Sequence, residues 1–284
     1  MHIDVVVQAK FLLGESPLFD ERSKAIVWTD IEGKQWHRYL LNSGSFHSYS
    51  TVGIASALVK REKGGIFAAV EEGFGLIREG AGYDVVLRNL SPYERMNDAK
   101  CDSKGRLWAG STDRSFRKGV GRLHRLDANL SHKVMIEDMT LPNGIDWSPD
   151  DSKMYLVDSL EHVLLVFDFD SEHGELSNRR VLYEFSNESG IPDGISVSAQ
   201  GDIFVAMWDG AQIMVISDLG EKLDCLKVPV QRPTSCVFGG ENYDELYVTS
   251  ASIGLPTHHD SRDGFLLRVS GLGVAGKASN FFSG

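Results

Sequence analysis

Cysteine is scarce in this chain of 284 residues, which has only Cys101, Cys225 and Cys236, scattered and without a CxxC pair. Neither a disulfide framework nor a cysteine-based zinc site is therefore predicted, and free thiols in a reducing compartment are expected. Only 8 prolines are present, so a proline-rich disordered linker is not expected, while the 29 glycines allow many tight turns.

Positive charge is also limited, with 29 Lys and Arg against 40 Asp and Glu. An acidic surface repels phosphate backbones, and no basic run reverses this locally, so nucleic acid is not an expected partner. Because no window holds 18 uncharged apolar residues, neither a membrane span nor a membrane partner is expected. The N-terminal segment lacks the basic start and long apolar stretch of a signal peptide, and a cytoplasmic location is expected.

What the sequence does contain is one unit repeated six times. In each copy a turn leads into a short apolar strand, a polar turn and a second strand, and further strand-like segments follow. The copies begin at Glu15, Ala55, Met96, Pro142, Pro192 and Pro233. A period of about 40 to 50 residues with four strands, and without long amphipathic helices, indicates an all-β, six-bladed β-propeller.

The segment "IDVVVQ", Ile3–Gln8, precedes the first copy. We expect it to supply the outer strand of the last blade and to close the ring, because closure removes a free sheet edge. A sandwich or barrel of short strands would not show so regular a recurrence. The prediction is a single domain that covers residues 1–284.

The repeat aligns "PNG" at 142–144 with "PDG" at 192–194, two tripeptides with turn chemistry. In a propeller the first strands of the blades line a central channel, so equivalent residues converge at one mouth. These positions are Glu15, Ser56, Asn97, Asn143, Asp193 and Thr234. Turn capping alone explains neither Glu15 nor the convergence of oxygen donors. Two carboxylates and an amide oxygen suit Ca²⁺, Mg²⁺ or Mn²⁺, and without a cation the carboxylates would repel each other.

Several segments carry a resemblance to a known family: "GESPLFDERSKAIVWTDI", "ERMNDAKCDSKGRLWAG", "LPNGIDWSPDDSKMYLVDS" and "IPDGISVSAQGDIFVAMWDG". In this order they resemble the SMP-30/gluconolactonase/luciferin-regenerating-enzyme family, from about Gly14 to the C-terminus. The resemblance implies a six-bladed propeller with one divalent cation, which could be Ca, Zn, Mn, Mg or Fe. It also implies that Glu15, Asn143 and Asp193 bind the metal.

The resemblance further implies hydrolysis of an aldonolactone to the aldonic acid, with Asp193 as the catalytic proton acceptor and with Arg95 and Asn97 binding the substrate. Some relatives place another acidic substrate contact after the second strand of the third blade. That region here reads "GSTDRSFRKGVG", and Asp113 is its only acidic residue. Asp113 is therefore a candidate substrate-binding residue, and the substrate preference is expected to differ from that of the animal members.

Two other functions stay open at this point, a propeller hydrolase of other esters or organophosphates and a metal-binding or metal-sensing protein without turnover. The expected partner is a small-molecule sugar lactone, and the protein itself is expected to be a monomer or a weak homo-oligomer. The stretch His258–Asp260 in the sixth copy is interpreted as a solvated loop, with contact to the substrate as the alternative.

Overall fold

The computed structural model describes residues 1–256 and 261–284, which form six four-stranded antiparallel sheets. Strand β1 spans His2–Val7. Blade 1 contains β2 (Gly14–Asp20), β3 (Ala25–Asp30), β4 (Gln35–Leu40) and β5 (Phe46–Ser50). Blade 2 contains β6 (Ala55–Lys60), β7 (Ile66–Val70), β8 (Gly73–Arg78) and β9 (Gly82–Arg88). Blade 3 contains β10 (Glu94–Cys101), β11 (Leu107–Asp113), β12 (Gly121–Leu126) and β13 (His132–Met139).

Blade 4 contains β14 (Pro142–Trp147), β15 (Lys153–Asp158), β16 (Val163–Asp170) and β17 (Glu175–Glu184). Blade 5 contains β18 (Ile191–Val197), β19 (Ile203–Trp208), β20 (Gln212–Ile216) and β21 (Lys222–Lys227). Blade 6 contains β22 (Pro233–Gly239), β23 (Glu245–Ser250) and β24 (Leu266–Ser270). A 3-10 turn at Ser159–Glu161 follows β15. In the described part of the chain, no helix is long and apolar enough to cross a membrane.

The ring closes as the sequence predicts. Strand β1 pairs antiparallel with β24, so the sheet of blade 6 has the order β1-β24-β23-β22. The all-β, six-bladed prediction is therefore confirmed, with a closing strand that begins and ends one residue earlier than expected. The pairing joins the two ends of the ring through main-chain hydrogen bonds and leaves no free edge on β24.

The hydrophobic core lies largely between neighbouring blades, because each sheet packs one face against the next. The first strand of every blade adjoins the first strands of its two neighbours, and these inner strands surround the channel. At the junction of blades 3 and 4, for example, the buried rings of Trp108 and Trp147 meet edge to face with centroids 6.2 Å apart. Such contacts fix the distance between adjacent inner strands.

All six inner strands shift register near their first residues. In blades 4 and 5 the shifts lie between Pro142 and Ile145 and between Pro192 and Ile195. A β-bulge re-aims the side chains next to it, and here it does so at the same place in each blade. The "PNG" and "PDG" tripeptides are thus parts of β14 and β18, rather than the turns that their composition suggests.

The glycines of these tripeptides are needed for close packing. A Cβ atom on Gly144 would lie 2.7 Å from the carbonyl oxygen of Asp193 and 2.6 Å from the amide nitrogen of Ile195. On Gly194 it would overlap the side chain of Ser235 in blade 6. Only glycine lets neighbouring inner strands approach this closely, and the approach brings Asn143 beside Asp193.

The C-terminal segment 275–284, called here the C-terminal strap, crosses the face opposite the mouth. Its main chain bonds to blades 6, 5 and 2 through Gly276 N to Tyr243 O (2.8 Å), Ala199 N to Ala275 O (2.8 Å) and Phe282 N to Lys60 O (2.8 Å). It reaches blade 3 through Ser283 N to Gly105 O (3.0 Å), blade 4 through Lys277 to the Trp147 carbonyl, and blade 1 through Phe281 under Arg22. The strap therefore ties together the ends of all six inner strands.

Candidate functional site

The three predicted metal ligands converge at the mouth from different blades. Glu15 lies in β2, Asn143 in β14 and Asp193 in β18, and their exposed fractions are only 6 to 8%. Nδ2 of Asn143 donates to Asp193 Oδ1 and, at 3.1 Å, to Ser159 Oγ. Glu15 Oε2 accepts the Ser16 amide N–H at 2.9 Å. Their bulges turn these three side chains toward the channel.

Negative charge is concentrated at this point. Burial, followed by the charges of Asp193 and Asp98, raises the pKa of Glu15 well above its usual range. Burial, followed by the charge of Asp98, likewise raises the pKa of Asp193. Arg95 is the nearby cation that favours their charged forms, and its effect is smaller than the effect of burial, so both pKa values stay raised. A bound metal cation would add to that stabilisation.

The donor set fits one divalent cation, because it combines two carboxylates with an amide and lies in a place with few exposed atoms. No three side chains of His, Cys, Asp or Glu converge in a metal-binding arrangement within the described ranges. This agrees with a triad whose third donor is an asparagine. Nδ2 of Asn143 donates both to Ser159 Oγ and to Asp193 Oδ1, so the amide oxygen Oδ1 is the atom left to face a cation.

Arg95 and Asn97 form a polar arm beside the triad. Arg95 Nη1 donates to Asn97 Oδ1 at 2.8 Å and to the Met96 carbonyl at 3.0 Å, and Asn97 Nδ2 donates to the Pro142 carbonyl at 3.0 Å. Burial lowers the pKa of Arg95, although the guanidinium stays charged at any neutral pH. The arm links blade 3 to blade 4 and places a positive charge close to Glu15 and Asp193.

The two remaining mouth positions serve the ring itself. Ser56 Oγ donates to the Ala69 carbonyl at 3.2 Å within blade 2. Thr234 Oγ1 donates to the Gly14 carbonyl at 2.5 Å and thereby joins blade 6 to blade 1. Of the six residues that the repeat aligns, four thus offer side chains to the site and two are engaged in blade structure.

Asp113 lies at the end of β11, where its carboxylate pairs with Arg117 at 2.8 Å and accepts the Ser115 amide N–H at 2.9 Å. The Arg117 partner lowers its pKa. These bonds shape the loop after β11, whose Phe116 ring lies 6.0 Å from the Arg95 guanidinium. The role of Asp113 as a substrate contact stays a prediction.

Below the triad the channel is filled by an ionic cluster. Asp146 Oδ2 lies 2.9 Å from Lys100 Nζ, and Asp146 Oδ1 lies 3.2 Å from Lys277 Nζ in the strap. Burial raises the pKa of Asp146, but the charges of Lys100 and Lys277 outweigh this and lower the pKa to about 2. Two small cavities lie there, one of about 30 Å³ lined by Asp98 and Lys100 and one of about 20 Å³ lined by Asp146 and Lys277. A sugar-sized molecule must therefore reach the triad from the mouth.

Sequence reasoning missed two acidic residues near the triad. Asp98 follows Asn97 in the same bulge and is half-buried, and desolvation of its carboxylate raises the pKa to about 6. Glu32, in the turn after β3, contributes an attractive charge to Arg95. Asp98 could have been found from the sequence, because it directly follows Asn97. Glu32 could not, because only the fold brings it near Arg95. The stretch His258–Asp260 lies outside the described residues.

Comparison with known proteins identifies the family of this chain. The family model "SMP-30/Gluconolactonase/LRE-like region" matches residues 13–252. Regucalcin of Danio rerio is 32% identical, over 96% of this chain and 96% of its own. A solved luciferin-regenerating enzyme has a TM-score of 0.92 at 27% identity and covers 99% of both chains.

A solved calcium-binding protein, regucalcin from Agrobacterium tumefaciens, has a TM-score of 0.91 at 26% identity and covers 98% of this chain and 96% of its own. The family model extends over most of the residues, and the curated relative matches nearly end to end. The resemblance inferred from the motifs is thereby confirmed: the chain belongs to the SMP-30/gluconolactonase/LRE-like family.

Proposed function

We propose that this protein is a metal-dependent sugar lactonase, which hydrolyses an aldonolactone to the aldonic acid in the cytoplasm as a monomer or weak homo-oligomer. The observation that carries the proposal is the convergence of Glu15, Asn143 and Asp193 beside the Arg95–Asn97 arm. Membership of a family named for gluconolactonase supports it.

Glu15, Asn143 and Asp193 would hold one divalent cation, of which Ca, Zn, Mn, Mg and Fe are the candidates. When bound, such a cation polarises a carbonyl oxygen and lowers the pKa of water. Three protein donors would leave room for other oxygens, because Zn²⁺ takes about four ligands and Ca²⁺ and Mg²⁺ take about six or more.

Asp193 has two oxygens with different surroundings. Oδ1 contacts the Asn143 amide, whereas among the described residues Oδ2 has no hydrogen-bond donor. Oδ2 is thus the atom that we propose as the acceptor of the proton of the attacking water. Burial of the residue keeps bulk water away from this transfer.

Arg95 and Asn97 are proposed to bind the substrate. Arg95 uses Nη1 for its contacts to Asn97 and Met96, whereas among the described residues Nη2 has no acceptor. We propose Nη2 as a donor for a sugar hydroxyl or the developing oxyanion. Because Asn97 fixes this orientation, its loss should weaken substrate use more than metal binding. Asp113 is proposed as a further substrate-binding residue through the loop that it shapes.

One alternative is a calcium-binding protein without turnover, which the name of the Agrobacterium relative brings into consideration. The Arg95–Asn97 arm favours catalysis, because a protein that only binds metal has no need for a charged donor held beside it. The second alternative, a hydrolase of other esters or organophosphates, uses the same chemistry and differs in substrate only.

The experiment is a panel of aldonolactones, simple esters and organophosphates, assayed with each candidate cation after chelation. Wild type should hydrolyse a lactone only after a cation is restored. Asp193→Ala should lose cation binding and reduce turnover by about 100-fold or more, while Asn97→Ala should keep the cation and raise KM.

Asp202→Asn is the matched control, because this aspartate lies in the turn at the far end of blade 5. It should leave both cation binding and turnover as in wild type. Full activity of Asp193→Ala would overturn the site, and tight cation binding with no turnover of any substrate would select the calcium-binding alternative.

A further inference from the structure

Two aspartates hold the chain just before two of the proposed metal ligands. Asp158, the last residue of β15, accepts the amide N–H groups of Thr140 and Leu141 at 2.9 Å each. These two residues directly precede β14, whose second residue is Asn143. One carboxylate thus satisfies two consecutive backbone donors and sets the direction in which the ligand-bearing strand starts.

Blade 1 contains the same arrangement. Asp30, the last residue of β3, accepts the amide N–H groups of Leu12 and Leu13 at 2.9 Å each, immediately before β2 and Glu15. The registers are equivalent, because Asp30 pairs with Gly14 as Asp158 pairs with Pro142, at the first residue of the inner strand. The two carboxylate clamps are therefore copies of one device.

The clamp is absent from the other four blades, all of which are described at this position. In blades 2, 5 and 6 the second strand ends at Val70, Trp208 and Ser250, which have no carboxylate. In blade 3 the equivalent Asp113 turns to Ser115 and Arg117 of its own loop. The device is thus found in two of the three blades that supply proposed ligands, and in none of the blades that supply no ligand.

Blade 4 adds a contact to the ligand side chain itself. Ser159, which follows Asp158, is buried and is held by its amide N–H to the Leu141 carbonyl at 3.0 Å. Its hydroxyl oxygen accepts the N–H of Asn143 Nδ2 at 3.1 Å. An asparagine amide that faced the other way would present hydrogens to a cation. The Ser159 hydroxyl holds one N–H of Nδ2, and the Asp193 carboxylate, which can only accept, takes the other, so Oδ1 is left for the cation.

We propose that Asp158 and Ser159 are positioning residues for Asn143, and that Asp30 is the positioning residue for Glu15. The inference rests on the proposed metal site and extends it to three side chains that do not touch the cation. Asp158 and Asp30 fix the backbone just before the two ligand-bearing strands, and Ser159 anchors the Asn143 amide in place. Loss of any one leaves the ligand present but free to adopt orientations that do not bind.

The test measures the cation affinity of Ser159→Ala, Asp158→Asn and Asp30→Asn by titration calorimetry, together with the melting temperature of each protein without metal. Removing residues that orient metal ligands costs about 10- to 100-fold in metal affinity, and we expect that range here. Ser159→Ala is the mildest change, since it removes one hydroxyl, and it keeps the test decisive if either aspartate variant does not fold.

Asp102→Asn is the matched control. Asp102 lies in the turn after β10, at the end of blade 3 far from the mouth. Its buried carboxylate accepts N–H bonds from Lys104, Arg106 and Trp108. The Asp102→Asn variant should have a lower melting temperature and an unchanged cation affinity. If the three variants instead behave like Asp102→Asn, with lower stability and wild-type affinity, the positioning role is overturned while the metal site stands. Failure of wild type to bind any cation overturns both.

Discussion

Replacing Phe282 with alanine should destabilise the whole propeller, because the phenyl ring of Phe282 is the buried anchor of the C-terminal strap. Phe282 is completely buried between blades 2 and 3, where its ring centroid lies 4.6 Å from that of Phe67. Truncating a core phenylalanine typically costs about 3 to 5 kcal/mol. For a chain of this length, about 2 °C per kcal/mol predicts a fall in melting temperature of about 6 to 10 °C.

The assay is differential scanning calorimetry of the metal-free protein, with Phe116→Ala as the control. Phe116 is the same residue type but is 45% exposed in the loop after β11, so its removal should change stability by no more than about 0.5 kcal/mol. A Phe282→Ala protein that melts with the control would refute the reasoning, since it would show that the strap contributes nothing to holding the blades together.

Three further changes test other parts of the structure. Gly144→Ala should weaken cation binding, because a methyl group 2.7 Å from the carbonyl oxygen of Asp193 must push two ligand-bearing strands apart; unchanged affinity in calorimetry would contradict this. Asp146, with a folded pKa of about 2, should contribute about 2 kcal/mol of stability that is present above its unfolded pKa of about 4 and lost as the pH falls to 2. Asp146→Asn should lack this pH-dependent stability when melting temperatures are measured between pH 2 and pH 5. Identical pH profiles for the variant and wild type would rule out the contribution of Asp146. Asp113→Ala should raise KM for the lactone while cation affinity is kept, and an unchanged KM would remove Asp113 from the substrate site.

The blade count could be predicted from the sequence because each blade is a local unit. Its strands follow one another in the chain and pair with their neighbours, so the turns and apolar runs recur with the unit. The closing strand could be predicted as well, since Ile3–Gln8 precedes the first complete copy and an open edge is unfavourable. The C-terminal strap could not, because its bonds reach residues up to about 220 positions away in the chain and leave no local pattern.

The candidate ligands could be chosen from the repeat, but the use of each mouth position could not. Ser56 and Thr234 occupy the same place in their blades as Asn143 and Asp193, yet their hydroxyls bond to backbone carbonyls. Which side chain meets which is decided by how closely neighbouring inner strands pack. That distance depends on Gly144 and the core between blades, which belong to the tertiary structure.

By itself, then, the amino-acid sequence determined the class of fold, the number of blades and the short set of oxygen donors near one mouth. These follow from composition and from a period that each blade satisfies within its own segment. The tertiary structure alone decided that the "PNG" tripeptide is a bulged strand rather than a turn, that Asp98 adds charge below the triad, and that Asp30 and Asp158 clamp two strand entries. The physical reason is that these features depend on the separation between strands of different blades or on hydrogen bonds between residues 17 or 18 positions apart, and neither can be read from a local sequence pattern.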